Sequence, residues 1–444
     1  MSLRRCLGVW LFLFVSAPAG QALTIRVPQD QPQIKIAMDF ASPGDSVIVS
    51  CGIYFESGIS MKDDVVLRSE TGEPECVRID GDYNSAGLAC SSLQTGCKIE
   101  GITITRCERA ILGNHSALAI TKCNLVQNYA PPGEFSGHGG AIQLQYSDAT
   151  ISESFISQNH TSSGHQGDPP MGGGIWAYNS TLQVESTVFA ENDAYVGGGI
   201  ALWGNSSALI NDSSFLDNYS LEGGGGINTH LWTGNLQVQN CRFQGNRGSI
   251  LTHGQNGDEM VLIQDSDFLE DTSDFSVLSL NHCDSVVENS LFIGNTAPGG
   301  CLFTNNVRLR GSTFASNLCS YGTIYVHDNF PGTVSLLSAI VALNTGPSIQ
   351  CDANTSITLE CCDLWGNTGG DWVDCTADQA GTHGNLSKDP LFCDVLEGDY
   401  TLRADSPCAP PQSGDCGLIG SEVIGCKPLS IEHRSWGSIK SLYR

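Results

Sequence analysis

From Leu125 onward the chain repeats one pattern: an apolar residue, two others, then Asn. It recurs as Leu125/Asn128, Ile156/Asn159, Phe189/Asn192, Phe215/Asn218 and Phe243/Asn246. Phe268/Asp271, Phe292/Asn295, Phe314/Asn317, Val341/Asn344 and Leu364/Asn367 continue it, at intervals of 22 to 33 residues. Between these marks, apolar and polar residues alternate in runs of three to five, as in Ile200–Trp203, bounded by Gly, Asn, Asp and Ser. Period-2 runs with such boundaries are short strands and turns. Three strands per unit, repeated, predict a coil whose successive rungs pair in parallel about 4.8 Å apart. Inward Phe, Ile and Leu would stack on their equivalents, so that no unit is stable alone. The recurring Asn suits a bend, because it tolerates left-handed backbone and its amide can bond the amides above and below. One stretch, Ile34 to Ala41, reads as a short amphipathic helix, placed to cover the first open strand edge.

Glycine-rich starts precede many of these marks: Gly139 to Ile142, Gly172 to Ile175, Gly197 to Ile200, Gly224 to Ile227 and Gly299 to Leu302. This combination resembles the GG[AG]I…FxxN repeat of the polymorphic outer membrane proteins of chlamydiae. The whole resembles right-handed parallel β-helices of the pectate-lyase-like superfamily. Pro43 to Glu56 is similar to the first rung of secreted β-helix proteins. Asp389 to Phe392, Gly398 to Leu402 and Ser406 to Cys408 resemble their closing segment. The resemblance implies an all-β fold, a single-stranded right-handed parallel β-helix solenoid of about 10–12 rungs with a short N-terminal capping helix. Such a fold carries both enzymes and adhesins, so function must be read from the site.

Residues 1–22 have the charged, apolar, small-residue order of a secretory signal: Arg4 and Arg5, then Leu7 to Val15, then Ala17, Ala19 and Ala22. The expected division is a cap at 23–43, the β-helix at 44–388 and a cysteine-rich closing segment at 389–426. A basic tail, a sorting or docking signal, follows at 427–444. Among 19 cysteines, Cys6 falls in the signal, leaving an even number in a chain sent to an oxidising compartment. Cys51/Cys76 and Cys351/Cys375 are each separated by about one rung, which places them within reach of a disulfide.

The net charge of -26 argues against nucleic acid as a partner, whose phosphates need Lys and Arg. It also bears on catalysis. No Lys or Arg occurs between Lys122 and Arg242, so the most decorated rungs lack the cations that a lyase acting on uronates requires.

The alternation directs one column of side chains outward. Counting one and three residues from the Ile that opens each glycine-led strand gives Gln143/Gln145, Trp176/Tyr178, Ala201/Trp203, Asn228/His230, Leu251/His253, Phe303/Asn305 and Tyr325/His327. Rings in a row offer flat faces to sugars, and amides and imidazoles offer hydrogen bonds to hydroxyls. Gln145, Trp176, Tyr178, Trp203, His230, His253 and His327 are therefore the candidate binding residues. The alternative is that a long turn covers the column and makes it a second small core. Two long turns, Ala130 to His138 and Thr161 to Met171, should stand beside it and bring Glu134, His138, His165 and Asp168.

Hydrolysis would need two carboxylates at a set separation. Six residues before the recurring Asn lie Glu153, Ser186, Asp212, Asn240 and Asp265, whose acids stand two rungs apart, roughly 9.6 Å. Glu153, Asp212, His138 and Asp168 are the weak catalytic candidates. Calcium is the one cofactor the acidic surface could take, with Asp265 and Asp267 as possible oxygen ligands. Two functions remain. The first is a secreted or cell-surface protein that binds a polysaccharide, a surface glycan or another cell-surface protein without catalysis. The second is a polysaccharide-degrading enzyme, a hydrolase rather than a lyase.

Overall fold

A computed structural model describes residues 22–132, 137–162 and 169–426. The expected signal at 1–22, apart from its last residue, and the expected basic tail at 427–444 lie outside the described residues. The rest is one continuous coil of about 13 turns, built on three long parallel sheets of 14, 12 and 13 strands. A strip of four two-residue strands lies alongside.

One turn of the coil shows how the pattern works. Ile142–Gln145 lies in the 12-stranded sheet, Asp148–Ser152 in the 14-stranded sheet and Phe155–Ser157 in the 13-stranded sheet. Each strand ends in a two-residue bend: Tyr146-Ser147, Glu153-Ser154 and Gln158-Asn159. The first residue of each bend is left-handed, with φ of 50°, 48° and 55°. The second accepts hydrogen bonds from the coil before it. Ser147 Oγ accepts from the Ser116 amide at 3.2 Å, and Ser154 Oγ accepts from the Cys123 amide at 3.1 Å.

The asparagine ladder forms as expected. Asn159, Asn192, Asn218 and Asn246 are buried, and each accepts from both the backbone and the side-chain N–H of the preceding Asn at 3.0–3.1 Å. The same amides also bond main-chain carbonyls, as Asn218 Nδ2 does with Phe189 O at 2.9 Å. Every polar atom buried at the bend is thereby paired, which a buried amide requires. Inside, Phe189, Phe215, Phe243, Phe268, Phe292 and Phe314 form a parallel ring stack with centroids 4.3–4.9 Å apart.

The coil is longer than the expected 10–12 rungs. Its first turns, from Ser46–Val49 to Thr103–Thr105, carry neither the glycine lead-in nor the Phe-x-x-Asn mark, yet pair in the same sheets. Ile34–Phe40 is the expected helix, burying Ile34, Ala37 and Met38. Glu56 caps it from the coil, accepting from the amides of Ile34 and Lys35 at 2.9 Å. Both expected disulfides form, Cys51–Cys76 and Cys351–Cys375, with Cα atoms 4.4 and 6.1 Å apart. Cys361–Cys416 and Cys393–Cys426 tie the closing segment, which contains the antiparallel pair Phe392–Asp394 and Asp399–Leu402.

Candidate functional site

The column expected from alternation lies on the outside of the 12-stranded sheet. Register puts Gln143 beside Trp176 and Ala201, and Gln145 beside Tyr178, Trp203 and His230. Its two halves differ. Of the residues one on from each Ile, Gln143, Trp176, Ala201, Asn228 and Phe303 are buried, and Leu251 and Tyr325 are half-buried. Of those three on, Gln145, Tyr178, Trp203 and His230 are half-buried and His253 is exposed, while Asn305 and His327 are buried.

Trp176 corrects the expectation of a column open throughout. It is 0% exposed and belongs to a small core outside the coil with Met171, Val196 and Ala201. The glycine-led turns fold these apolar residues over it, so the covering-loop alternative holds at this position. His138 completes the cover, its ring stacked on Trp176 at 4.5 Å and its Nδ1 accepting from the Met171 amide at 3.2 Å. His138 therefore packs on this core and fixes the Met171 turn over it. Asp168, Glu134 and His165 lie outside the described residues.

His327 is likewise buried. Its Nε2 meets Asn281 Oδ1 at 2.9 Å, its Nδ1 accepts from the Asn329 amide at 3.3 Å, and its ring stacks on Phe303 at 4.3 Å. Burial pushes its pKa down, consistent with a neutral ring whose two nitrogens are both used. His253 presents its ring edge to Phe330, which itself stacks on His282 at 4.3 Å.

What remains open is a run of rings across five successive turns. His115 stacks on Tyr146 with centroids 4.9 Å apart, and Tyr146 meets Tyr178 edge to face at 5.4 Å. Tyr178 meets Trp203 at 5.9 Å, and Trp203 meets His230 at 6.0 Å, again edge to face. His115 and Tyr146 did not figure among the expected residues, because they sit in bends rather than strands. Both are left-handed, at φ 50°, immediately before Ser116 and Ser147 of the serine ladder. That serine spacing was the available signal. Tyr146 is 48% exposed. A hydrogen bond with Tyr146, helped by partial burial, raises the pKa of the Tyr178 phenol.

The carboxylate column behaves differently from a catalytic pair. Glu153 and Asp212 are bend residues with φ of 48° and 50°, and this left-handed conformation, shared by Ser186, Asn240 and Asp265, explains the Ser, Asp and Asn of the column. Glu153 lies 4.0 Å from Lys122, and Asp212 accepts from the Asn240 amide. Both bends join the 14- and 13-stranded sheets, whereas the rings lie along the 12-stranded one. Among the described residues, one group of three metal-type ligands converges, Cys51, Glu70 and Cys76, and its two sulfurs are joined as a disulfide. Asp265 is engaged by Asn289 Nδ2 at 3.2 Å. Two shallow grooves lie away from the rings. One of about 630 Å³ runs over Lys98, Ala119, Thr150 and Gln183, where small outward side chains leave space. Another of about 800 Å³ adjoins Tyr83, Tyr129 and His160.

Residues 86–268 match the family described as right handed beta helix region. The coil is accordingly a right-handed parallel β-helix. A search of curated protein sequences finds no match to this chain. Similar solved structures include a polygalacturonase from Erwinia carotovora ssp. carotovora, at 13% identity, covering 78% of this chain and 96% of that one, with a TM-score of 0.37. They also include PfbA, a surface adhesin of Streptococcus pneumoniae, at 11% identity, covering 78% and 90%, with a TM-score of 0.38. The catalytic domain of a GH87 α-1,3-glucanase bound to nigerose shares 11% identity over 77% and 69%, with a TM-score of 0.43. Enzymes and an adhesin thus stand side by side at this distance. Among the described residues, no helix is long and apolar enough to cross a membrane.

Proposed function

We propose that the protein is a secreted or cell-surface β-helix that binds a glycan along His115, Tyr146, Tyr178, Trp203 and His230, and that it does so without catalysis. The observation that carries this reading is the unbroken ring contact across five turns, with Tyr146 open to solvent at one end. A row of rings set at the rung spacing repeats at nearly the advance of one sugar unit in an extended chain. Successive sugars would therefore meet successive rings. Tyr hydroxyls, imidazoles and the Gln145 amide supply donors and acceptors for sugar hydroxyls.

Charge narrows the ligand. With no Lys or Arg from residue 123 to 241, the face has no cation for a carboxylate or sulfate, and Glu222 lies close by, accepting from Tyr195 at 2.8 Å. A neutral or amine-bearing glycan fits, and an acidic one is repelled. The non-catalytic reading is supported by the place of Glu153 and Asp212, on bends between the 14- and 13-stranded sheets and not on the ring-bearing 12-stranded sheet. Binding the purified protein to a panel of neutral, amino and acidic glycans tests both parts. Retention of neutral or amino glycans with no new reducing ends supports the reading. New reducing ends would replace it with the hydrolase, and binding confined to acidic glycans would overturn the choice of ligand.

A further inference from the structure

Eight cysteines form four disulfides and ten lie buried as thiols. These ten divide into two kinds. Six have an oxygen as their partner. Cys107, Cys123, Cys241 and Cys362 lie 3.2–3.5 Å from the main-chain carbonyl of Thr105, Thr121, Gln239 or Glu360, two residues earlier in each case. Cys283 contacts the hydroxyls of Thr252 and Ser285, both at 3.4 Å, and Cys408 contacts Asp363 at 3.2 Å. A buried S–H so placed is a satisfied small hydrophobe. Cys301 and Cys319 instead have their sulfurs 3.2 Å apart, and Cys90 and Cys97 have theirs 3.7 Å apart. All four are buried.

We infer that Cys301–Cys319 and Cys90–Cys97 are two further disulfides of the folded protein. The geometry sets these four apart from the six. Within a chain that already oxidises eight cysteines, two sulfurs held in contact with no oxygen to bond are placed for closure. In each closure two thiols lose two protons and two electrons and form one S–S bond. The electrons reduce the disulfide of a small-molecule or enzymatic thiol oxidant to two thiols, by exchange through a mixed disulfide. Because the sites are buried in the folded chain, exchange must occur before the coil closes over them. Once formed, the bonds would have local effects. Cys301 lies in Gly300–Thr304, the strand that carries Phe303 against His327, so its bond anchors that cluster. Cys90 and Cys97 lie on Leu88–Ser91 and Cys97–Glu100, consecutive strands of one turn.

Peptide mapping of the full chain, secreted into an oxidising medium and never reduced, tests the inference. The protein is unfolded in guanidinium with iodoacetamide and then digested. Arg308 and Arg310 separate Cys301 from Cys319 for trypsin, and cleavage after Leu93 separates Cys90 from Cys97 for chymotrypsin. The expected result is one linked peptide for each pair, with Cys107, Cys123, Cys241, Cys283, Cys362 and Cys408 all alkylated. In Cys301→Ser, Cys319 should become alkylated while the Cys90–Cys97 link persists. Alkylation of both members of a pair in the unreduced protein, or linkage of either to a different cysteine, would overturn that bond.

Discussion

Tyr178 and Trp203, on neighbouring turns, meet edge to face with ring centroids 5.9 Å apart, while Trp176, two residues before Tyr178, lies wholly under cover. Trp176 is thus the centre of the small core, and Trp203 is a half-buried ring packed against its edge. Trp176→Ala should empty a small core and cost about 3 to 5 kcal/mol of stability. Trp203→Ala removes a half-buried ring from the edge of that core and should cost less than Trp176→Ala, about 1 to 3 kcal/mol. Thermal unfolding of the two variants checks this. Equal losses would mean that both rings belong to one buried core.

The asparagine ladder makes a second prediction. Asn218 accepts from Asn192 and donates to Asn246 and to Phe189 O, all out of water. Asn218→Ala leaves the Asn192 side-chain and backbone donors buried and unmet, at about 1 to 3 kcal/mol for each unsatisfied group. Chemical denaturation should show a loss of at least about 2 kcal/mol, larger than Asn205→Ala at an exposed bend would give.

Asp271 breaks the ladder's chemistry while keeping its shape. Its Oδ1 accepts from the Asn246 amide at 2.7 Å, but its second oxygen stands where its neighbours have an NH₂. Ser249 donates to that oxygen, yet burial, with Asp217 nearby, pushes the carboxyl pKa up to about 7. The folded state therefore holds a proton that the unfolded state has released above pH 4. The stability so contributed is complete in acid, falls as pH rises from about 4 to about 7, and is absent above that. Asp271→Asn should remove this slope and raise stability at pH 8 by an amount on the order of 1 to 4 kcal/mol. Asp363, pushed up to about 6 by burial, leaves a weaker slope of the same sign in both proteins. Melting temperatures from pH 5 to pH 8.5 check it, and parallel curves for the two proteins would contradict it.

Much of this was legible in the chain, for a physical reason. Phe189 to Phe314 and Asn128 to Asn367 recur because stacked rungs place equal demands on equal positions, and those demands appear as a period. The first turns, around Val47, Leu67 and Ile99, were less legible, since aliphatic rungs stack without a ring or an amide to mark them. The binding face was half legible. Alternation correctly set Trp176 and Tyr178 off the coil interior, but it cannot report what a turn folds back over, and Met171 and Val196 cover the first of them. His115 and Tyr146 escaped because they occupy left-handed bends, outside any strand count. The likeness to chlamydial repeats rests on the glycine-led and Phe-x-x-Asn motifs of the sequence.

The central claim is that the ring column holds sugar, and one titration tests it most directly. A neutral or amino oligosaccharide retained on the glycan panel is titrated calorimetrically into the wild type and into Trp203→Ala. Removing this ring from the run should cost about 2 kcal/mol of binding, roughly a 30-fold weaker Kd, as for a binding hot spot, in a protein that still folds at the titration temperature. Unchanged affinity in a normally folded Trp203→Ala protein would contradict the claim.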